Sequence, residues 1–425
     1  MPLLEKDLNE LPLGLIGLQR WAVSHDLCCI LDGRSATDPD YSFPKLLAVG
    51  CTRQFELLPG HSLAALDDFL LPTDMGYVVQ VGYGLKDHLE QISNRHTDPI
   101  GFPALFVYEP LVLIRFLEND RIRIQAADPQ SVWDQLCRMQ VPANDDIIPP
   151  VEFISRNTEE QYLELVGKVQ AHIARGDCYE LNYCQEYYAE GVEIDPLVIY
   201  QQLRSVVQAP FSCLYRNGNR WLMGASPERF LKRQGNRIES RPMKGTAPRD
   251  LDPIKDELLS EELLSSAKER SENIMVVDLV RNDLSRIAER GSVQVEALCA
   301  LHSFPQVHQL VSTVTARVSS TVGLRRVLEA CFPMGSMTGA PKIRVMELTD
   351  VYETSARGLY SGSIGFLEPN GDFDLNVVIR SLQYHAEKGY LSYHVGSGIT
   401  AYSDPKKEWQ ECAWKSAGIR RVFTR

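Results

Sequence analysis

The chain has 425 residues, 44% hydrophobic and 24% charged, the balance of a globular protein with one large domain or two to three ordinary ones. Its net charge of −12 argues against nucleic acid or anionic membrane as the main partner, because both need a basic surface. An anionic substrate would accordingly need a locally basic pocket or a metal ion.

The start, MPLLEKDLNELPLGLIGLQRW, carries acids early and lacks an apolar core followed by a small-residue cleavage site, so no signal peptide is expected. No apolar stretch is long enough to predict a transmembrane helix. The cysteines are scattered without a Cys-x-x-Cys, which speaks against a disulfide framework or zinc site and suits a reducing cytoplasm. Up to about residue 125 the chain reads mainly as strands and turns, among them LCCILDG, GYVVQVGYGL, PALFVYEPLVLIRFL and the strictly alternating DRIRIQA. DPQSVWDQLCRM predicts a helix, and QVPANDDIIPPVEF a polar, proline-marked connector. The boundary is placed near residue 150, dividing the chain into 1–150 and 151–425.

The second part opens on a helix, NTEEQYLELVGKVQAHIARGD, with an acidic start, helical spacing and a glycine stop. Strands follow in CYELNYCQEYYAE, FSCLYRN, RWLMGASPERFLKRQ and NRIESRPM. A long helical stretch, DPIKDELL to RIAERG, is broken once. A strand meander with turns at PNGD and EKGY leads to a last helix in DPKKEWQECAWKSAGIRRV. Strand pairs on short turns with helices grouped elsewhere predict an α+β fold with large antiparallel sheets.

Several segments could carry chemistry. In RPMKGTAPR, Lys244 stands beside Gly245 and Thr246, where glycine lets the backbone approach a ligand. A nucleophilic lysine must be neutral, which from a pKa of about 10.4 costs roughly 4.6 kcal/mol at pH 7. Arg241 and Arg249 are candidates to lower that cost, and a surface lysine in a turn is the plain alternative. Glu228, in SPERF, falls in an expected strand that leads through the next strand to Lys244, so the two could exchange protons or form an ordinary salt bridge. Glu269 with Glu272, and Glu408 with Glu411, lie three apart on expected helices and share a face. Such pairs suit Mg²⁺ or are simply solvated faces. PMGSMTGAPK runs into a helix with Pro341 in its first turn and does not have P-loop spacing. Gly396-Ser397-Gly398 reads as a turn ending a strand. Arg380 is a charge inside an apolar strand, expected to pair with a carboxylate of protein or ligand. Tyr360 precedes SGSIGF. Together these suit a small molecule with more than one carboxylate.

In this order, RPMKGTAPR, ENIMVVDLVRNDL, PMGSMTGAPK, ARGLYSGSIGF, NVVIRS and GSGITAYSDPKKEWQE resemble the chorismate-utilising enzymes, densely over residues 155–420. That family includes anthranilate, isochorismate, salicylate and aminodeoxychorismate synthases. The resemblance implies sheets packed as a sandwich with helices outside. It makes 1–150 an accessory region like that of anthranilate synthase component I, and 151–425 the chorismate-binding region. Lys244 resembles the aminodeoxychorismate branch, since anthranilate synthases carry alanine there. In that branch the lysine is thought to add to ring carbon 2 of chorismate and expel the 4-hydroxyl. Ammonia then adds at carbon 4 and displaces the lysine, with Glu228 as acid/base.

By the same resemblance Glu272 and Glu411 hold Mg²⁺ against the ring carboxylate, supported by Glu269 and Glu408. Tyr360, Arg380, Gly396, Ser397 and Gly398 hold a substrate carboxylate, Gly245 and Thr246 line the pocket, and His308 in FPQVHQLVS lies near the ring. Glu180 stands where relatives carry glutamine. LDGRSATDPDYSF and QAPFSC resemble the walls of a tryptophan pocket, marking Gly33, Pro210, Phe211 and Ser212; Gly33 replaces a contacting serine. No Gly-x-Cys-x-Gly segment is present, so ammonia is expected from a separate glutamine amidotransferase subunit. The rival readings are anthranilate or isochorismate synthase, and a non-catalytic subunit binding chorismate or tryptophan.

Overall fold

The computed structural model describes residues 1–33, 40–90, 92, 95–140, 147–304 and 307–424. Parts of three expected segments therefore lie outside the described residues: 34–39 of LDGRSATDPDYSF, 141–146 of the connector, and Pro305 and Gln306 of FPQVHQLVS. Among the described residues the strands form two antiparallel sheets, of twelve and ten strands.

Alternation along the strands builds the sandwich. In Leu27–Leu31 and Leu46–Val49, Cys28, Ile30, Leu47 and Val49 join one apolar cluster with helix residues such as Trp21, Tyr162 and Tyr200. Their neighbours Cys29, Leu31, Leu46 and Ala48 turn to the other face, against Val78, Phe106, Ile364 and Phe366 of the second sheet. The second sheet repeats the pattern, sending Val79, Val81, Leu105 and Val107 toward Val276, Val280 and Val327. Side-chain period two thus gives each sheet one face toward its partner and one toward helices. The fold is the expected α+β sandwich with helices outside.

Residues 1–150 and 151–425 share both sheets. In the first, Leu27–Leu31 pairs with Phe211–Asn217, Ile30 opposite Leu214. In the second, Tyr77–Val81 pairs with Ser363–Leu367, Val79 opposite Gly365. Among the described residues, the apolar clusters holding residues from before 150 also hold residues from after it.

Expected helices appear where their caps foretell them. Thr158 and Gln161 form a capping box at the start of Glu159–Ala174. Ser266 breaks the long helical stretch into Pro253–Ser265 and Ala267–Ser285 and caps the second piece. Asp404 caps Pro405–Phe423. Helices Gly14–Val23, Pro196–Val207 and Leu324–Cys331 lie where the sequence reading had no helix.

The chain changes sheet twice at one place, and this positions the site. The single strand expected in RWLMGASPERFLKRQ is two: Arg220–Ser226 in the first sheet and Arg229–Gln234 in the second. Their antiparallel partners Ser381–His385 and Phe373–Asn376 make the same switch in return. Glu228 and Arg380 therefore sit on links between strands and not within them. The links are tied together: the Val377 N–H donates to Glu228 O at 3.0 Å, and the Ala225 N–H to Arg380 O at 3.2 Å.

Candidate active site

Where the strands part, a cavity of about 630 Å³ opens. Its wall brings together Lys244, Glu228, Gly245, Thr246, Tyr360, Arg380, Gly396, Gly398, Glu269, Glu272, Glu408 and Glu411. Residues spread over almost two hundred positions of sequence thus face one space.

Lys244 lies on Met243–Pro248, opposite Leu310 on Val307–Arg317. The ladder bulges between Lys244 and Thr246, where Gly245 takes φ of 83°, a left-handed conformation that glycine adopts without cost. The Lys244 ammonium donates to Glu180 Oε1 at 2.9 Å. Burial alone would lower its pKa, but Glu180, Glu272 and Glu411 outweigh burial and hold the lysine above its usual range. The arginines expected to lower it are engaged elsewhere: Arg241 Nε donates to Glu239 at 2.6 Å, and Arg249 Nε to Asp256 at 2.8 Å. In this conformation Lys244 is a paired cation.

Glu228 is buried on its link, and burial pushes its carboxyl up to about 7 against the pull of Ser336 and Lys244. A carboxyl so poised can give or take a proton near neutrality. Arg380 occupies a bend with φ of 49°. No carboxylate among the described residues pairs with it, and burial lowers its pKa. An unpaired guanidinium on a cavity wall suits a ligand carboxylate. Tyr360 stacks on His394, ring centroids 5.2 Å apart.

Helices Ala267–Ser285 and Pro405–Phe423 bring the two Glu-x-x-Glu pairs to the cavity. Burial pushes Glu272 up to about 7 and also raises Glu269. Glu411 is held low despite burial, because Lys415 pairs with it at 2.7 Å. Lys268 Nζ stands 3.3 Å from Glu408 and 3.7 Å from Glu272. The buried Glu272 Oε1 has no hydrogen-bond partner. Among the described residues no three His, Cys, Asp or Glu side chains converge on one point. The donors fit Mg²⁺ nonetheless, since that ion takes one or two protein carboxylates and completes its shell with substrate oxygens and water. The ammonium between Glu272 and Glu408 marks where positive charge is wanted.

Two expected residues face elsewhere. Val307 and Gln309 line the cavity, so His308 between them points to the opposite face. Its Nδ1 meets Ser303 Oγ at 2.8 Å and its Nε2 meets Asp256 at 3.0 Å. Gly396-Ser397-Gly398 is no turn; it is the interior of strand Tyr390–Thr400, paired with Glu180–Ala189. Gly396 and Gly398 face the cavity, while the Ser397 hydroxyl donates to Glu408.

At Gly33 the two candidate tryptophan walls approach closely. A Cβ there would lie 2.3 Å from Pro210 O and 2.4 Å from Phe43 N. Phe211 is wedged edge-on between Tyr41 and Phe43, both centroids at 5.1 Å, and the buried Ser212 hydroxyl donates to Ala209 O. Gly33→Ser is expected to lose about 1–3 kcal/mol of stability, as overpacking does, read as a lower unfolding midpoint in urea.

The cavity wall also holds Asn182, Lys268, Gln309, Ser336, His394 and Lys415, which the sequence reading did not single out. Some signals were present. His394 shares its strand face with Gly396 and Gly398, and Lys268 and Lys415 lie four residues from Glu272 and Glu411.

The sequence matches the family described as chorismate binding enzyme over residues 46–421. It is 36% identical to aminodeoxychorismate synthase component 1 of Klebsiella aerogenes over 343 residues, 80% of this chain and 75% of that protein. With the aminodeoxychorismate synthase of Streptomyces griseus it shares 43% identity over 277 residues, 64% of this chain and 37% of that protein. Anthranilate synthase component I from Streptococcus pneumoniae TIGR4 has the same fold, with a TM-score of 0.80 at 25% identity, covering 91% of this chain and 94% of that one. So does the menaquinone-specific isochorismate synthase of Escherichia coli, with a TM-score of 0.79 at 16% identity, covering 100% and 94%. The chain belongs to the family of chorismate-binding enzymes.

Proposed function

We propose that this enzyme converts chorismate and ammonia to 4-amino-4-deoxychorismate, the reaction named for its relatives in Klebsiella and Streptomyces, on the way to 4-aminobenzoate and folate. The observation that carries the reading is a lysine, Lys244, at the cavity wall together with Glu228. A site that only bound chorismate would need neither a nucleophile nor an acid.

In this reading Arg380 and Tyr360 take a substrate carboxylate. The neutral amine of Lys244 adds to ring carbon 2 while Glu228 gives its proton to the departing 4-hydroxyl. Ammonia then adds at carbon 4 and expels the lysine. Glu272 and Glu411 would hold Mg²⁺, with Glu269 and Glu408 beside them, and the ion would supply positive charge against the ring carboxylate. Ammonia comes from a separate glutamine amidotransferase subunit, and ammonium replaces it in its absence. The setting is cytoplasmic, in keeping with ten unpaired cysteines. Among the described residues no helix is long and apolar enough to cross a membrane. Tryptophan has no part in the proposal.

The test is the pH dependence of turnover. Glu228 must be protonated to act as an acid, and its folded value is about 7. The rate with ammonia, corrected for the fraction of free amine, is therefore expected to fall as pH rises through about 7. Glu228→Gln should be slow and lack that falling limb. A wild-type limb that persists in Glu228→Gln would overturn the assignment of Glu228.

A further inference from the structure

One proton has no destination in the scheme above. Lys244 must lose it before its nitrogen can form a bond, yet the lysine sits as an ammonium among carboxylates. We propose that Glu180 positions Lys244 and takes this proton; the inference rests on the reading of Lys244 as nucleophile.

The geometry is that of a built pair. Glu180 begins strand Glu180–Ala189 in the first sheet, is 2% exposed, and reaches across to Lys244 in the second. Its Oε1 accepts from Nζ at 2.9 Å, and its buried Oε2 has no hydrogen-bond partner. Room for the pair comes from Gly398 on the adjoining strand, where a Cβ would lie 2.8 Å from Glu180 Oε1 and 3.0 Å from Lys244 Nζ. Other charged or titratable groups face the same space: Lys268, Glu269 and Glu272 from one helix, Glu408, Glu411 and Lys415 from another, Glu228 and Arg380 from the two links, and His394 from the strand of Gly398. Among the described residues Glu180 alone hydrogen-bonds the ammonium. The neighbouring carboxylates favour the ammonium, and neutralising the pair relieves the burial penalty of two charges, which offsets part of the cost of the transfer.

The protons balance over the cycle. An Nζ–H bond breaks and an O–H bond forms on Glu180. The freed electron pair makes the bond to ring carbon 2, and the carbon 4–oxygen bond breaks, its oxygen leaving as water with a proton from Glu228. When ammonia bonds to carbon 4, the carbon 2–nitrogen bond breaks and its pair returns to Lys244. Glu180 then gives its proton back to the amine. Glu228 takes one from the new ammonium, and both residues are restored.

Glu180→Gln keeps the shape and can still hydrogen-bond the amine, but it cannot take the proton. In wild type the resting and reactive pairs hold the same number of protons, so Lys244 contributes no ionisation to the pH profile. In Glu180→Gln the lysine must release its proton to solvent. We expect kcat at about pH 7 to fall by roughly 10²-fold, with chorismate KM within about twofold. A new limb, rising with pH, should join the profile. Glu180→Asp should recover part of the rate without that limb. A second readout needs neither chorismate nor metal. Trinitrobenzenesulfonate should label Lys244 faster in Glu180→Gln than in wild type at about pH 7, read by peptide mass spectrometry. Faster labelling with slower turnover is the expected pattern. Wild-type kcat without the rising limb, a loss confined to KM, or unchanged labelling would each overturn the proposal. If wild type forms no amino product, the nucleophile reading fails, and the labelling rates still decide whether Glu180 holds the proton of Lys244.

Discussion

Lys244→Ala is expected to keep chorismate bound while losing at least about 10³-fold in amino product, the scale of removing a covalent nucleophile. Alanine leaves Arg380, Tyr360 and the carboxylate pairs in place, so the loss should fall on kcat and spare chorismate affinity, measured by calorimetry. The substitution also strands Glu180, buried and without its counter-charge. A carboxylate left in that state costs about 3–5 kcal/mol, so the single variant should unfold earlier than wild type. Lys244→Ala with Glu180→Gln should recover that stability and none of the turnover. This split separates a chemical role for the lysine from a structural one. Turnover within about tenfold of wild type in Lys244→Ala would contradict covalent catalysis.

Arg357→Met is expected to have a large effect on stability. Arg357 is buried and forms a 2.6 Å ion pair with the equally buried Glu353. Its guanidinium also donates to Met337 O at 2.8 Å, Asn182 O at 3.1 Å and Ser361 Oγ at 3.1 Å. It thereby ties the Glu180–Ala189 strand to the segments that carry Met337 and Tyr360, all at the cavity. Glu353 in turn accepts from the Cys184 N–H at 3.0 Å. Methionine fills much of the volume but leaves Glu353 charged and alone, at a cost of about 3–5 kcal/mol. The denaturant midpoint should drop accordingly, and Arg357→Met with Glu353→Gln should recover part of the loss. A single variant as stable as wild type would mean that the pair adds nothing to the fold.

The residues legible in sequence were those whose meaning is local. Thr158 and Gln161, Ser266, and Asp404 cap their helices through neighbours a few residues away. The two Glu-x-x-Glu pairs share a helix face by spacing alone, and Lys244 announced itself through Gly245. What sequence hid was the change of sheet. Only Pro227, between Ser226 and Glu228, marks the point where one strand becomes two, and a proline by itself does not distinguish a change of sheet from an edge strand. Arg380 was read as a strand residue because apolar residues flank it at Val377, Val378, Ile379 and Leu382. Gly396 and Gly398 looked like a turn because glycine favours turns; here the absent side chains make room within a strand. In VHQ the histidine drew attention as the reactive residue, while strand alternation sends Gln309 to the cavity and His308 away from it. The Lys244–Glu180 contact joins two sheets across 64 residues of sequence, and no periodicity reaches that far. The resemblance flagged position 180 without saying what a carboxylate there would touch.

The most direct test of the central claim is the identity of the product. Purified protein is given chorismate, Mg²⁺ and ¹⁵N-ammonium, and the products are separated and assigned by mass spectrometry and nitrogen NMR. The account predicts 4-amino-4-deoxychorismate, labelled at ring carbon 4 and absent with Lys244→Ala. Anthranilate or isochorismate would contradict it and leave only the family standing, and bound chorismate without turnover would make the chain a binding subunit.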